Sequence, residues 1–169
     1  MKSPTLLESS RLYLTRLTEE EHFEELCRLH ADPEVVRYIR PPQTPEEVRE
    51  TFVRIRKGQE LSPDHGLFAL YEKDSHEFVG WFLLKFLENT QDPEMGYRFH
   101  KKFWGKGYAT EMGLVFRNYL TQELGYSYLI AVTHLENQGS QNVLKKLGFI
   151  HEGTRFLYEQ DVTYFRYDS

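Results

Sequence analysis

Apolar and polar residues alternate with a period of two in several short stretches, which predicts the strands of a sheet. Residues 11–17 alternate charged and apolar side chains, as a half-exposed strand does. Residues 66–71 and 78–84 are apolar on both faces, so we predict central strands that are covered by helices on each side. Further strands are predicted over residues 94–99, 128–133, 149–156 and 162–167, the last two as a hairpin.

Helix signals separate these strands. Thr18 followed by Glu21 forms a capping box, which predicts a helix that continues to about residue 30. Thr44, followed by a proline and two acidic residues, caps a helix that reaches about residue 60. Two more helices are predicted over residues 109–124 and 137–147, the second ended by a glycine.

The order β-α-α-β-β-β-α-β-α-β-β sets the predicted fold class. It indicates an α/β (α+β) fold with a mixed seven-stranded sheet and helices on both faces. No repeat or linker divides the 169-residue chain, so we predict a single domain over residues 7–169.

Composition narrows the possible functions. Apolar residues make up 40% of the chain, which argues against disorder, and the net charge of -5 argues against a general nucleic-acid partner. The single cysteine, Cys27, lies in a predicted helix and cannot form an internal disulfide, which favours a cytoplasmic protein. No apolar run has the length of a membrane span, and no metal-ligand spacing is present.

A glycine-rich segment over residues 102–110 is the first candidate for chemistry. Gly105 and Gly107 leave the surrounding backbone amides unobstructed just before a predicted helix. The N-terminus of a helix offers unpaired N–H groups and a partial positive charge, so it suits a phosphate. Taken alone, the segment is more typical of a tight turn that leads into a core helix.

Three segments together resemble the GNAT-fold N-acetyltransferases, and within them the RimJ/RimL ribosomal-protein acetyltransferase branch. The first is Glu94-Met95-Gly96-Tyr97, and the second is Phe103-Trp104-Gly105-Lys106-Gly107-Tyr108-Ala109-Thr110-Glu111. The third is Asn137-x-x-Ser140 followed by Leu144-Lys145-Lys146-Leu147-Gly148-Phe149. The resemblance covers about residues 7–167.

This resemblance implies acetyl-CoA as the donor, with no metal. It implies that the fourth and fifth predicted strands splay apart, that the pyrophosphate lies on the amides of residues 102–110, and that the pantetheine arm lies in the gap. Lys102 stands where the family prefers Gln or Arg, and we expect it to add charge near the phosphates. The implied cofactor-binding residues are Tyr97, Phe99, His100 (by its backbone), Lys102, Gly105, Lys106, Gly107, Tyr108, Ala109, Thr110 and Asn137.

Two side chains are candidates for the catalytic roles. Glu94 is the candidate base. The alternative interpretation of this residue is a solvated carboxylate at the end of a strand, with no catalytic role. Many relatives place a Tyr where this chain has Leu144, so the resemblance suggests Ser140 as the group beside the leaving thiolate. The alternative for Ser140 is a first-turn helix residue that satisfies a backbone group. His134 and Glu159 are further candidates near the acceptor.

We expect direct attack of the amine in a ternary complex, and the acceptor has alternatives. An α-amino group, with a pKa of about 7.7–8.0, is partly neutral at pH 7, which favours a protein or peptide N-terminus. A small amine such as an aminoglycoside, polyamine or amino acid is the second possibility, and a non-catalytic acyl-CoA sensor is the third. The acidic composition favours a cationic acceptor. The protein is expected to be a monomer or a homodimer.

Overall fold

The structure, a computed structural model, describes residues 2–169. It contains an eight-stranded sheet with the strand order β1-β2-β3-β4-β5-β6-β8-β7. The strands are β1 (Thr5–Glu8), β2 (Leu12–Arg16), β3 (Gly66–Glu72), β4 (Phe78–Phe86), β5 (Pro93–Phe99), β6 (Tyr128–His134), β7 (Ile150–Leu157) and β8 (Gln160–Asp168). The helices are α1 (Glu19–Ala31), α2 (Pro33–Val36), α3 (Pro45–Leu61), α4 (Tyr108–Asn118) and α5 (Gln138–Lys146).

The predicted elements are confirmed, except that the sheet has eight strands where we predicted seven. The additional strand is β1, which pairs antiparallel with β2 at the edge of the sheet. Its residues are exposed or only half-buried, so it lacks the one-sided apolar pattern that identifies a strand in a sequence. The sheet consequently starts at Thr5, two residues before the predicted domain boundary.

The capping box predicted at Thr44 is confirmed, whereas that at Thr18 is only half formed. The Glu21 carboxylate accepts hydrogen bonds from Ser3, and the Thr18 amide donates to His22 Nδ1 instead. The Thr18 hydroxyl accepts a hydrogen bond from the Glu21 amide at 3.3 Å and begins α1. At α3, Thr44 and Glu47 form the reciprocal contacts of a capping box. The helix after the glycine segment ends earlier than predicted, because α4 passes at Tyr119–Glu123 into a turn of π-helix.

Helices cover the two faces of the sheet with separate apolar clusters. On one face, α4 and α5 pack on the sheet around Phe68, Phe82 and Phe116. On the other face, α1 and α3 pack on a cluster that includes Trp81. Since Trp81 and Phe82 are adjacent in β4, they illustrate the strict alternation of the two faces along a strand. Among residues 2–169, no helix combines the length and apolarity that a bilayer span requires.

Two neighbouring strands separate soon after they meet. Strands β5 and β6 run parallel and pair at the single position Glu94–Ile130. Every other neighbouring pair of strands is joined over at least three positions. The predicted splay is therefore confirmed, and it leaves a gap in the sheet beside the second half of β5.

The fold makes a prediction for the packing of α4. Phe116 is fully buried, and its ring lies 5.0 Å from that of Phe68 and 5.3 Å from that of Phe82. Truncating such a side chain leaves a cavity, so Phe116→Ala should lower the free energy of unfolding by about 3–5 kcal/mol. Urea denaturation measures the change. Phe156→Ala is the matched control, because Phe156 is 71% exposed and should change stability little. Equal losses in both variants would contradict the packing.

Candidate active site

The glycine segment forms a loop whose amides are open. After a short 3₁₀ turn at Lys101–Phe103, Gly105 and Gly107 take φ values of 73° and 78°, which favour glycine. The first backbone bond of α4 runs from the Glu111 amide to the Gly107 carbonyl at 3.0 Å. Within residues 2–169, the amides of residues 105–110 donate to no acceptor. These N–H groups lie at the positive end of α4, so the loop fits a diphosphate.

An ion pair fixes this loop to the turn between β1 and β2. The Glu111 carboxylate accepts hydrogen bonds from the Ser9 hydroxyl at 2.7 Å, the Arg11 amide at 2.9 Å and Arg11 Nε at 2.7 Å. Arg11 Nη2 also donates to the Lys106 carbonyl at 3.0 Å. The contact explains why the motif ends in a glutamate. Arg11 itself carries no sequence signal for this role, because it lies about a hundred residues away in the chain.

Two buried aromatic rings pack against each other beneath the surface of the loop. Phe103 and Tyr108 are buried and stack with their ring centroids 6.2 Å apart. The Tyr108 hydroxyl donates to Glu72, and the Arg11 guanidinium lies 4.6 Å from the centre of the Tyr108 ring. Both loop lysines lie over the Phe103 ring, with the ammonium of Lys102 at 5.0 Å and that of Lys106 at 5.4 Å from its centre.

Lys102 does not lie over the open amides. Its ammonium pairs with Glu77 at 2.6 Å, and both side chains are more than half exposed. Exposed ion pairs contribute only about 0–1 kcal/mol to stability, so Lys102 can readily exchange Glu77 for another anion. Ala109 and Thr110 are half-buried in the first turn of α4 and offer their amides.

The edge of β5 faces the gap with main-chain groups. The His100 amide donates to the Val79 carbonyl of β4 at 2.9 Å, so the alternation of the strand turns the Tyr97 and Phe99 amides toward the gap. The Phe99 carbonyl accepts the Trp104 indole N–H at 3.0 Å. The His100 carbonyl accepts the Phe103 amide at 3.0 Å. Both main-chain groups of His100 thus have a partner within the chain, and its backbone role in binding the arm stays a prediction.

Two hydroxyl groups meet at the start of α5. The Asn137 side-chain oxygen caps this helix by accepting the Ser140 amide at 3.2 Å. The Ser140 hydroxyl donates to the Tyr97 hydroxyl at 3.2 Å, so its partner is a side chain on β5 rather than a backbone group. Burial raises the pKa of Tyr97, so the phenol stays protonated at neutral pH.

Glu94 is buried rather than solvated. Its residue exposure is 6%, the Tyr158 hydroxyl donates to it, and the Lys85 ammonium lies 3.6 Å from its carboxylate. Burial raises the pKa of Glu94, and the Lys85 charge and the Tyr158 hydrogen bond oppose that rise. Glu94 faces the opposite side of the sheet from Tyr97, three residues later in the strand.

A cavity of about 460 Å³ lies beyond the end of β6, on the side where we expect the acceptor. It is lined by the segment after α2, which includes Arg37, Tyr38 and Arg40, together with His134 and Gln160. The rings of Tyr38 and His134 are 5.3 Å apart. His134 and Gln160 thus line this cavity, whereas Glu159 does not, and an acceptor role for His134 stays a prediction.

Arg98 is a charged residue of this region that the sequence pattern did not single out. It is 7% exposed, and its guanidinium lies 4.9 Å from the centre of the Trp81 ring. Its Nε has no hydrogen-bond partner, and none of residues 2–169 forms an ion pair with it. Burial, together with the nearby Arg40, lowers the pKa of Arg98 to about 9, so the side chain remains charged at neutral pH.

Comparison with known proteins identifies the class of enzyme to which this arrangement belongs. A mixed sheet opens after one strand pair, beside a helix that begins with free amides. The family profile described as "Acetyltransferase (GNAT) domain" matches residues 11–150. The chain therefore belongs to the GNAT acetyltransferase family, and it is an acyltransferase that acetylates nitrogen.

Individual relatives agree with this assignment. The chain is 31% identical over 166 residues to the "FsC-acetyl coenzyme A-N(2)-transacetylase" of Aspergillus fumigatus, covering 92% of this chain and 69% of that one. An acetyltransferase structure from Agrobacterium tumefaciens superimposes with a TM-score of 0.84 at 19% identity, covering 100% and 96% of the two chains. The ribosomal L7/L12 alpha-N-protein acetyltransferase RimL, in complex with coenzyme A, superimposes with a TM-score of 0.80 at 17% identity, covering 98% of each chain.

The contact between Arg11 and the loop makes a prediction about cofactor affinity. Arg11→Ala removes the bond to the Lys106 carbonyl and one side of the Glu111 pair, so the loop should lose its fixed geometry. We expect the Kd for acetyl-CoA to rise about tenfold, a change of about 1.4 kcal/mol, with kcat little affected. Calorimetric titration measures the affinity.

The control for this experiment removes a similar ion pair elsewhere. Arg56→Ala breaks an exposed pair with Glu19, whose atoms are also 2.7 Å apart. An unchanged Kd in Arg11→Ala, or an equal loss in Arg56→Ala, would show that the Arg11 contact does not position the loop.

Proposed function

We propose that the protein transfers the acetyl group of acetyl-CoA to the α-amino group of a protein or peptide N-terminus. The observation that carries the proposal is the gap between β5 and β6, with a buried carboxylate on one face of the sheet and a pair of hydroxyl groups on the other. The superposition with RimL supports the choice of acceptor, since that enzyme is named as an alpha-N-protein acetyltransferase.

The chain supplies main-chain groups to hold acetyl-CoA. The amides of residues 105–110 would bind its diphosphate, and the Tyr97 and Phe99 amides would pair with its arm as a neighbouring strand does. The Asn137 side-chain amide is a further donor at the same gap, because its oxygen is occupied by the helix cap. When bound there, acetyl-CoA supplies an activated thioester for direct transfer to an amine.

Glu94 is proposed as the base that removes a proton from the acceptor amine. An α-amino group needs only modest help, because a fraction of it is already neutral at pH 7. Burial brings the pKa of Glu94 closer to that of the amine, while Tyr158 and Lys85 fix the carboxylate in place. The Phe99 amide is the proposed hydrogen-bond donor for the developing negative charge on oxygen.

Ser140 and Tyr97 are proposed as the hydroxyl groups that return a proton to the leaving sulfur. A thiol with an ordinary pKa of about 8.5 leaves more readily when a hydroxyl group donates to it. The Ser140 hydroxyl, in contact with the Tyr97 phenol, takes the place of the tyrosine that is absent at Leu144.

A small-molecule amine is the second candidate acceptor. It is favoured by the 31% identity to the fungal N(2)-transacetylase, which extends over 92% of this chain. The two acceptors require the same cofactor loop and base, so they differ only in the groups that surround the amine.

The test of the function is release of free thiol from acetyl-CoA in the presence of a panel of amines. Peptides with a free N-terminus should be acetylated on the α-amine, as located by mass spectrometry. The same peptides with a formylated N-terminus and an internal lysine are the matched control and should react poorly. Turnover only with small amines would select the second candidate. Tight binding of acetyl-CoA with no turnover on any amine would contradict both and would favour a sensor.

The assignment of Glu94 predicts a change in both rate and pH dependence. Glu94→Gln should lower kcat by about 100-fold. In the wild type, kcat should fall as the pH drops through the pKa of Glu94, because the base must be deprotonated. Lys85→Met removes a charge that lowers this pKa, so its acid limb should move to higher pH. Lys73→Met, which breaks an exposed pair with Glu8, is the control. An unshifted profile in Lys85→Met would count against Glu94.

The hydroxyl pair predicts a coupled effect. Ser140→Ala and Tyr97→Phe should each lower kcat by about tenfold, because the proton is delivered by the two hydroxyl groups acting together. The double variant should lose less than the product of the two single effects, since the two groups form one unit. Independent effects, or none, in steady-state assays would exclude the pair as the proton donor.

A further inference from the structure

Arg98 places a positive charge inside the protein without a counter-ion. Its side chain is 93% inaccessible, the Nε atom is fully buried, and nothing within residues 2–169 accepts a hydrogen bond from it. Buried charges in proteins are normally paired, because the loss of water is otherwise uncompensated. A buried guanidinium with an unused donor therefore indicates that an anion binds there during function.

The position of Arg98 on β5 relates it to the reaction. Glu94, Gly96 and Arg98 alternate with Tyr97 and Phe99, so they share the face of the sheet that bears the proposed base. At about 3.3 Å per residue, the Cα atoms of Glu94 and Arg98 are about 13 Å apart. Gly96 lies between them and carries no side chain, and its nearest neighbour on this face is the Leu83 side chain, 3.6 Å from where a Cβ would lie. One molecule of a few residues in length can span this distance.

The surroundings of Arg98 are cationic or neutral. Arg40 lies near Arg98 and also lines the 460 Å³ cavity. His30 is neutral, because burial and the Arg98 charge lower its pKa to about 3, and its ring bonds to Gln43 and Trp81. Among residues 2–169, no acidic side chain forms an ion pair with the Arg98 guanidinium.

We propose that Arg98, assisted by Arg40, binds a carboxylate of the acceptor, so that the enzyme selects an amine with an acidic side chain within the first few residues. The inference rests on the proposed function, because it names the acceptor of that same site. A guanidinium suits a carboxylate because its planar N–H groups match the two carboxylate oxygens. The acceptor is thus anionic, whereas the overall acidic composition had favoured a cationic one.

The experiment compares two amidated tetrapeptides that are identical except for Glu or Gln at their second residue. The wild type should acetylate the Glu peptide with a kcat/KM about tenfold or more above that of the Gln peptide, as expected for a charge-assisted contact. In Arg98→Met this ratio should fall close to one. Arg49→Met, an exposed arginine on α3, should keep the wild-type ratio and is the matched control.

A binding measurement provides a readout that does not depend on turnover. The N-acetylated Glu peptide should bind the wild type in calorimetric titrations, and its binding should weaken about tenfold in Arg98→Met. Thermal unfolding checks that each variant is folded. Arg40 is exposed, so Arg40→Met should fold normally. This variant should lower both the Glu-to-Gln ratio of kcat/KM and the affinity for the acetylated Glu peptide, and it serves in place of Arg98→Met if that variant fails to fold.

The outcomes separate this inference from the proposed function. If both peptides react equally and Arg98→Met keeps their rates, the anion site is wrong while N-terminal acetylation stands. If no amine reacts, yet the acetylated Glu peptide binds in an Arg98-dependent manner, the anion site stands and the proposed function fails. If free glutamate reacts better than the Glu peptide, with the same dependence on Arg98, the carboxylate belongs to an amino acid rather than a peptide, and the role of Arg98 is supported.

Discussion

The separation of β5 and β6 after the pair Glu94–Ile130 is the constraint on which the rest of the structure depends. Inside a sheet, every main-chain N–H and C=O normally finds a partner on the neighbouring strand. Here the Tyr97 and Phe99 amides face a gap instead, and an unpaired buried amide costs about 1–3 kcal/mol. The opening thus leaves main-chain donors that need an acceptor from outside the sheet, and the surrounding elements keep the two strands apart.

Contacts on both sides of the gap hold it rigid before any ligand arrives. On the β5 side, Phe116 ties α4 to the sheet, and the Arg11–Glu111 pair fixes the loop that begins this helix. On the β6 side, the buried Gln141 donates to the Leu135 carbonyl and so fixes the corner that carries Asn137 and Ser140. Such preorganisation matters because ordering a loop during binding would reduce the affinity for the ligand.

The two faces of β5 divide the chemistry between them. Tyr97 points to the face covered by α4 and α5, where its hydroxyl meets Ser140. Glu94 and Arg98 point to the opposite face. Glu94 pairs with Lys85 and accepts a hydrogen bond from Tyr158, whereas the Nε of Arg98 has no hydrogen-bond partner. A single strand therefore presents a hydroxyl group on one face of the sheet and charged groups on the other, because the side chains of a strand alternate.

The sequence by itself determined what depends on neighbouring residues: the capped helices, the central strands, the glycine loop and the segments that revealed the family. It missed β1, because an exposed edge strand buries no face and leaves no periodic pattern. Only the tertiary structure decided that Glu94 is buried, that the His100 main chain is engaged, that Arg11 supports the loop and that Arg98 is unpaired. Each of these depends on contacts between residues far apart in the chain, and burial and charge pairing arise only when the fold brings such residues together.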